Sequence, residues 1–352
     1  MQDVIEIREE GRLLSRVLSG AGVGDIAAAA APYGRIWIVY DANAAVHARK
    51  AAQALEATGR LAAVGPISVS EEGKTIQTVM DIEDWLLESG ADRDALLLAV
   101  GGGITTDMAG FAASIYKRGI RFAFIPTTLL AQVDAAIGGK TGVNFKSLKN
   151  MVGVIRQPEF TLICPDVLET LPARDFRSGA AELLKTFIIE DGGNYEKAVS
   201  LLGYIAAGAS IASRSEELRR LIFAAAAVKA GVVSRDQFEN GERRKLNLGH
   251  TFAHAIEWLS REQKRDITHG EAVAIGIIAA AKLTDSSLAD KLRSDFEAAG
   301  LPTALPFPAK SLEAAMLKDK KAEGGKVHFV LIRSIGDVFI EDMTVAEAIS
   351  KL

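Results

Sequence analysis

The stretch ALLLAVGGGITTDMAGF, residues 95–111, joins an unbroken apolar run to three consecutive glycines and then to a helix-compatible segment carrying one aspartate, Asp107. A short apolar run ending in glycine reads as a buried strand turning into a helix, the junction where parallel α/β sheets present their ligand loops. Glycines at Gly101, Gly102 and Gly103 would let backbone N–H groups approach a pyrophosphate, and the helix N-terminus adds favourable potential for the anion. The spacing is not GxGxxG, so a tight turn that needs glycine only for its backbone angles is the competing reading.

The same punctuation recurs on both sides. RIWIVYD (35–41), RFAFIPTT (121–128) and TLICPD (161–166) are apolar runs ending in Asp or Thr, with helical segments at 44–58 and 74–89. Residues 35–166 therefore predict an open, Rossmann-like parallel sheet. Asp41, at a strand end, can take a ribose hydroxyl or cap the next turn. After Leu171, segments rich in Ala, Leu, Glu and Lys take over at 177–190, 215–233 and 271–283, and only KVHFVLIRSIGDVFI (326–340) reads as a hairpin. The expected organisation is an α/β N-terminal domain over residues 1–170 and a mainly α-helical C-terminal domain over residues 171–352.

Length and composition agree with that division. The 352 residues suit two domains at roughly 150 residues each. Lys and Arg total 41 against 45 Asp and Glu, a formal charge of −4, too balanced for binding nucleic acid or an acidic membrane by bulk charge. With 49% hydrophobic and 24% charged residues the chain can bury a core. The single cysteine, Cys164, excludes an intramolecular disulfide framework and a multi-cysteine zinc site, so any metal must be held by His, Asp or Glu. The charged opening MQDVIEIREEGRLL is unlike a signal peptide, and no apolar run approaches the ~20 residues that span a bilayer, so the expected location is the cytoplasm.

Three further segments carry chemistry. IPTTLLAQVDAAIGGKTGVNFKSLKN (125–150) sets Thr127 and Thr128 at a strand end, then Asp134, a glycine-rich turn at Lys140, and Lys146, Lys149 and Asn150. It is not a P-loop, because Asp134 stands where GxxxxGK[ST] needs its first glycine. Its lysines can meet phosphate or carboxylate as point charges, or simply be solvated. In LNLGHTFAHAIE (246–257), helical spacing would put Asn247, His250, His254 and Glu257 on one face. Thr251 follows the first histidine, so the base of an HExxH protease is missing. His250, His254 and His269 are three of the chain's five histidines, and catalytic zinc commonly takes three protein ligands and keeps one position open. SGAAELLK (178–185) places Glu182 and Lys185 three apart, either a surface ion pair or a charged pair seeking partners in apolar surroundings.

From about Glu71 to Gly336, the strings GGGITTDMAGF, KRG, PTTLLAQVDAAIGGKTGVN, KN, SGAAELLK, LNLGHTFAHAIE, HGEAVAIG and DKK together resemble the 3-dehydroquinate synthase family of sugar-phosphate cyclases. The resemblance implies Glu182, His250 and His269 as ligands of zinc, with cobalt as the alternative, and His254 as a group that handles protons near the metal. It implies Asp134, Lys140, Asn150, Lys185, Lys229, Arg243, Asn247 and Lys320 around a substrate bearing carboxylate, hydroxyls and phosphate. Asp41, Glu71, Lys74, Gly101–Gly103, Asp107, Thr127 and Thr128 match the NAD-binding set. Arg118 matches an arginine that reaches the neighbouring subunit's site, which implies a homodimer. The sequence departs from the family pattern at Thr106, Phe145 and Ala253, and the segment before His269 is slightly longer than usual. The implied reaction converts 3-deoxy-D-arabino-heptulosonate 7-phosphate to 3-dehydroquinate and phosphate. A related cyclase, a polyol dehydrogenase with a net yield of NADH, and an inactive cofactor-binding protein are the competing readings.

Overall fold

The computed structural model describes residues 3–146, 148–319 and 326–352. The chain divides into two compact units, Met1–Leu171 with Lys229–Phe238, and Pro172–Val228 with Glu239–Leu352. The division falls close to Leu171. One stretch departs from a simple linear split: the helix Ser215–Arg235 is continuous, yet from Lys229 onward it packs with the first unit.

In the first unit the strands are β1 (Val4–Glu9), β2 (Arg12–Ser19), β3 (Ile36–Asp41), β4 (Leu61–Ile67), β5 (Leu96–Gly101), β6 (Arg121–Pro126), β7 (Lys140–Phe145), β8 (Leu148–Ile155) and β9 (Phe160–Ile163). Seven of them form one sheet in the order β1-β2-β9-β6-β5-β3-β4, parallel throughout except for β1 against β2. β5 is an interior strand, and Leu96 through Val100 are fully buried, as a strand covered on both faces requires. Each such leucine contributes about 1.5–3 kcal/mol relative to exposure. The helices Ile76–Glu88 and Gly103–Ile115 supply Val79, Ile82, Leu86, Met108 and Phe111 to the core around Trp37, Val39 and Leu97.

This topology fixes where a ligand can bind. β3 leads to β4 on one side, and the chain then returns to lay β5 on the other side of β3, so the connections reverse between β3 and β5. The crevice outside the carboxyl ends of two such strands is the ligand position of open α/β sheets. Asp41 ends β3 and Gly101 ends β5, each one residue beyond the last registered pair, Tyr40 with Val100.

The glycine run has a different cause from the turn angles considered above. None of Gly101, Gly102 and Gly103 has a positive φ, and Gly102 is extended at φ −75°, ψ −172°. A Cβ on Gly101 would lie 2.6 Å from Thr105 Cβ, one on Gly102 3.0 Å from Thr128 Cγ2, and one on Gly103 3.0 Å from Ala135 Cβ. Close approach therefore requires glycine at 101 and leaves little room for a side chain at 102 and 103. Thr106 fits beside them because it is buried and its hydroxyl donates to the Gly103 carbonyl at 3.0 Å.

The β1–β2 hairpin, β4 and the β7–β8 hairpin have no counterpart in the sequence reading. β1 and β4 are edge strands, and β4 carries Gly65 and Pro66, residues that weaken a strand pattern. The turn read at GGKTG is instead the entry to β7: Gly138 and Gly139 take positive φ and Lys140 begins the strand.

The second unit is mainly helical. Its helices include Ala173–Ile189, Gly192–Ala206, His250–Glu262, His269–Lys282, Ser286–Ala298 and Ala309–Asp319. β10 (Val327–Ser334) and β11 (Asp337–Met343) form the hairpin expected from the sequence. One expectation is corrected: Asn247 is not on the histidine helix. It ends the 3-10 turn Glu242–Asn247, and Gly249 at φ +77° breaks the chain before His250. The break is steric, because a Cβ on Gly276 would overlap the Gly249 carbonyl oxygen and one on Gly249 would press on Ile277. Among the described residues no helix is long and apolar enough to cross a membrane.

The packing at the glycine run has a measurable consequence. Gly101→Ala should destabilise the chain by about 1–3 kcal/mol through overpacking against Thr105, read as a lower urea midpoint with an unchanged m-value.

Candidate active site

In the second unit, the helix Ala173–Ile189 is buried on every side from Ser178 to Ile189, and Glu182 and Lys185 lie within that stretch. Both are buried, at 0% and 1% exposure, with Lys185 Nζ 2.5 Å from Glu182 Oε2. They are not a surface pair. Glu182 Oε1 lies 3.2 Å from His269 Nε2 and 3.7 Å from His250 Nε2. One ligand atom from each of Glu182, His250 and His269 falls within 4.8 Å of the others.

Local contacts hold the two histidines of this cluster in place. The N-terminus of the helix His269–Lys282 is fixed by a capping box between Thr268 and Glu271 and by the Gly270 N–H, which donates to Ser178 Oγ at 3.0 Å. A Cβ on Gly270 would overlap the Ser178 carbonyl oxygen, so glycine there allows the approach that sets His269 beside Glu182. Arg174 ties down the preceding segment: it pairs with the Asp266 carboxylate, donates to the Asp266 carbonyl at 2.6 Å and lies 3.2 Å from Glu271. The longer loop thus still delivers His269 to the cluster. With His250 Nδ1–H donated to the Leu248 carbonyl at 3.1 Å, Nε2 keeps its lone pair toward Glu182.

Burial by itself would raise the Glu182 carboxyl pKa, but the Lys185 ammonium and the His269 ring hold it well below the usual carboxylate range. Burial and the Lys185 charge push His250 well below its ordinary value, so it stays neutral. Burial also opposes a charge on His269, but hydrogen bonds to Glu182 and Glu257 outweigh it and raise the ring to about 9. A carboxylate and two imidazoles around one point are a ligand set suited to catalytic zinc, so the residues present fit a divalent metal.

Glu257 is the residue that sequence reasoning left without a role. Its Oε1 lies 3.3 Å from His269 Nδ1, where an outer carboxylate is placed to orient a histidine for metal binding. Helical spacing had placed it with His250, but only the fold brings it to His269. His254 is exposed, with its ring edge-on to His250 at 5.7 Å and outside the three-ligand group. Arg243 is buried on the 3-10 turn, and exposed Asn247 donates to Glu239 at 2.8 Å.

In the first unit, Lys74 is buried and its ammonium donates to Asp107 Oδ2 and to Asn150 Oδ1, each at 2.5 Å. Glu71 precedes it on the same loop. Asp41 Oδ1 accepts from the N–H and the side-chain amide of Asn43, so it caps the turn after β3 at the switch-point crevice. The Thr127 N–H donates to the Gly101 carbonyl at 2.9 Å, and Thr128 Oγ1 accepts from the Ala131 N–H. Lys229 pairs with the Asp134 carboxylate and donates to the Asp134 carbonyl at 2.7 Å. Lys140 is exposed at the start of β7. Arg118 is exposed, in the left-handed region at φ +72°. Lys320 lies outside the described residues.

Two outcomes follow from this geometry. Glu257→Gln should lower metal affinity roughly 10–100-fold, with unchanged circular dichroism, as read by competition with a chelating dye. In the metal-free chain His269 is protonated below about pH 9, so metal must displace that proton. Apparent affinity should therefore rise with pH, by up to about tenfold per unit, and level off near that value. Calorimetry at pH 7.5 in buffers of different ionisation enthalpy should find about one proton released per metal.

Residues 65–178 match the family model described as 3-dehydroquinate synthase N-terminal, and residues 179–322 the one described as 3-dehydroquinate synthase C-terminal. A 3-dehydroquinate synthase of Acidithiobacillus ferrooxidans is 39% identical over 315 residues, covering 87% of this chain and 85% of the relative. Among solved structures, 2-deoxy-scyllo-inosose synthase complexed with carbaglucose-6-phosphate, NAD+ and Co2+ superposes with a TM-score of 0.85 at 26% identity, covering 99% of this chain and 98% of that one. The 2-epi-5-epi-valiolone synthase of Streptomyces hygroscopicus, with NAD+ and Zn2+ bound, gives 0.83 at 28% identity, covering 95% and 94%.

Proposed function

The chain belongs to the 3-dehydroquinate synthase family, and from that premise we propose that it converts 3-deoxy-D-arabino-heptulosonate 7-phosphate to 3-dehydroquinate and inorganic phosphate. It acts as a redox-neutral phosphate lyase that uses NAD and a divalent metal, zinc or cobalt. The observation that carries the reading is the cluster of buried Glu182 with half-buried His250 and His269 in a chain 39% identical to a named synthase.

When bound, the metal supplies Lewis-acid polarisation of a substrate hydroxyl, and NAD supplies a reversible acceptor for hydride. Glu182, His250 and His269 would hold the metal, with Glu257 orienting His269. Lys185 neutralises the Glu182 carboxylate and keeps it ionised. Asp41, Glu71, Lys74, Gly101–Gly103, Asp107, Thr127 and Thr128 would hold the cofactor at the switch-point crevice, where the glycines let the backbone approach a pyrophosphate. Asp134, Lys140, Asn150, Lys229, Arg243, Asn247 and Lys320 are the groups proposed to meet the substrate's carboxylate, hydroxyls and phosphate. Cations fixed before substrate arrives stabilise the departing phosphate without reorganising. His254, exposed beside His250, is suited to carry a proton between substrate and solvent. After phosphate leaves by β-elimination and the ring opens, an intramolecular aldol step closes the carbocycle.

The 2-deoxy-scyllo-inosose synthase and the 2-epi-5-epi-valiolone synthase are 26% and 28% identical to this chain, against 39% for the 3-dehydroquinate synthase. The heptulosonate phosphate is accordingly the substrate to test first. Purified protein with zinc, catalytic NAD and this substrate should release phosphate without net accumulation of NADH. Steady accumulation of NADH would identify a dehydrogenase instead, and phosphate release from glucose 6-phosphate alone would identify a different cyclase.

Arg118 is proposed to reach the substrate phosphate of a second subunit in a homodimer. Its exposure at φ +72° leaves the guanidinium accessible to a second subunit. Arg118→Ala and Glu182→Gln should each be inactive, and an equal mixture allowed to exchange subunits should regain about a quarter of wild-type activity, since half the dimers would hold one complete site. An inactive mixture of verified heterodimers would refute action across subunits.

A further inference from the structure

The pairing of β7 with β8 is irregular at Asn144. The register runs Val143 to Val152 and then Phe145 to Leu148, so Asn144 alone stands opposite three residues, and the extra residues of the bulge, Asn150 among them, are on β8. Bulged positions re-aim a side chain out of the ladder and recur next to active sites. The Asn144 amide faces two separate segments. Its Nδ2 donates to the Glu71 carbonyl at 3.1 Å and to Glu71 Oε1 at 2.9 Å. Its Oδ1 accepts the backbone N–H of Asn150 at 3.0 Å, and its own N–H donates to the Lys74 carbonyl at 2.9 Å.

These bonds end on a second layer of contacts. Asn150 sits at φ +53°, a left-handed conformation that asparagine tolerates better than most residues but that still needs support. In that pose its Oδ1 takes a hydrogen from Lys74 Nζ, whose other partner is Asp107. One amide thus joins the Glu71–Lys74 loop to Asn150, two segments 76 residues apart between Lys74 and Asn150. Only an amide offers both donors and an acceptor on one short side chain.

We propose that Asn144 is a positioning residue that sets the Glu71–Lys74 loop and Asn150 in one fixed arrangement, acting on cofactor binding through Glu71 and on substrate binding through Asn150. The proposal rests on the reading of those residues as cofactor and substrate groups. Asn144 itself need not touch either molecule.

The test is a set of variants read by two independent measurements: the Kd for NAD from fluorescence titration, without turnover, and the KM for the heptulosonate phosphate. Asn144→Ala should raise both about tenfold, the scale of one lost hydrogen bond on each arm, with metal content unchanged. In an Asn150→Ala background the same substitution should leave the substrate KM unaltered, because its route to substrate is already gone. Asn144→Asp keeps the acceptor for the Asn150 N–H and should bring the substrate KM back to within about twofold of wild type. Should Asn144→Ala fail to fold, the Asp variant alone decides, with a substrate KM raised tenfold counting against the proposal. Unchanged Kd and KM in Asn144→Ala, or full additivity with Asn150→Ala, would overturn it. A wild-type chain that binds no NAD would overturn the underlying reading of the site, and the proposal with it.

Discussion

A carboxylate with no exposed surface is costly unless its charge is answered, and in the second unit Glu182 is that carboxylate. Lys185, on the same helix, gives one answer, but the other oxygen faces two imidazoles that come from separate helices. The helices beginning at His250 and His269 must therefore both approach the helix Ala173–Ile189 and each other. They do so where a side chain is missing. Gly270 lies against Ser178, and Gly276 lies against Gly249, at separations that a Cβ would not survive. The geometry of the Glu182, His250 and His269 cluster and the helix packing are consequences of the same small residues.

The first unit answers a different constraint. Parallel strands must end somewhere, and the reversal of connections between β3 and β5 puts the crevice position of open α/β sheets at their carboxyl ends. Asp41 and the glycine run lie at that edge. Thr105 packed behind Gly101 requires the glycine there, Thr128 and Ala135 leave little room for a side chain at 102 and 103, and unusual backbone angles play no part. The same closeness that excludes a side chain leaves the backbone at the start of the helix Gly103–Ile115 open to an anion. Beside it, the Lys74 ammonium is held by Asp107 and Asn150, so a cation is in place with its geometry already settled.

The limits of reading the chain without its fold are visible in particular residues. β3, β5, β6 and β9 are legible because central parallel strands are continuous apolar runs that end abruptly. β4 is not, because an edge strand with Gly65 and Pro66 has little apolar pattern to detect, and β8 is largely exposed, so no periodicity marks it. Asn247 was placed on the histidine helix because residue spacing extends a helix indefinitely. It takes Gly249, lying against Ile277 and Gly276, to end it. Glu257 had no evident role because its partner His269 is twelve residues further on and belongs to another helix.

The sequence by itself determined the kinds of groups available: one carboxylate and three histidines for a metal in a chain with a single cysteine, a glycine run after a buried strand, and a set of cations concealed in a net charge of −4. Local chemistry is enough for that, since propensity and short spacing act along the chain. Only the tertiary structure decided that Glu182 and Lys185 are buried and not a surface pair, that His269 joins His250 while His254 stays exposed, and that Asn144 links Glu71 to Asn150. Those outcomes depend on contacts between residues far apart in sequence, set by which surfaces can approach closely enough to pack, and no local pattern encodes that distance.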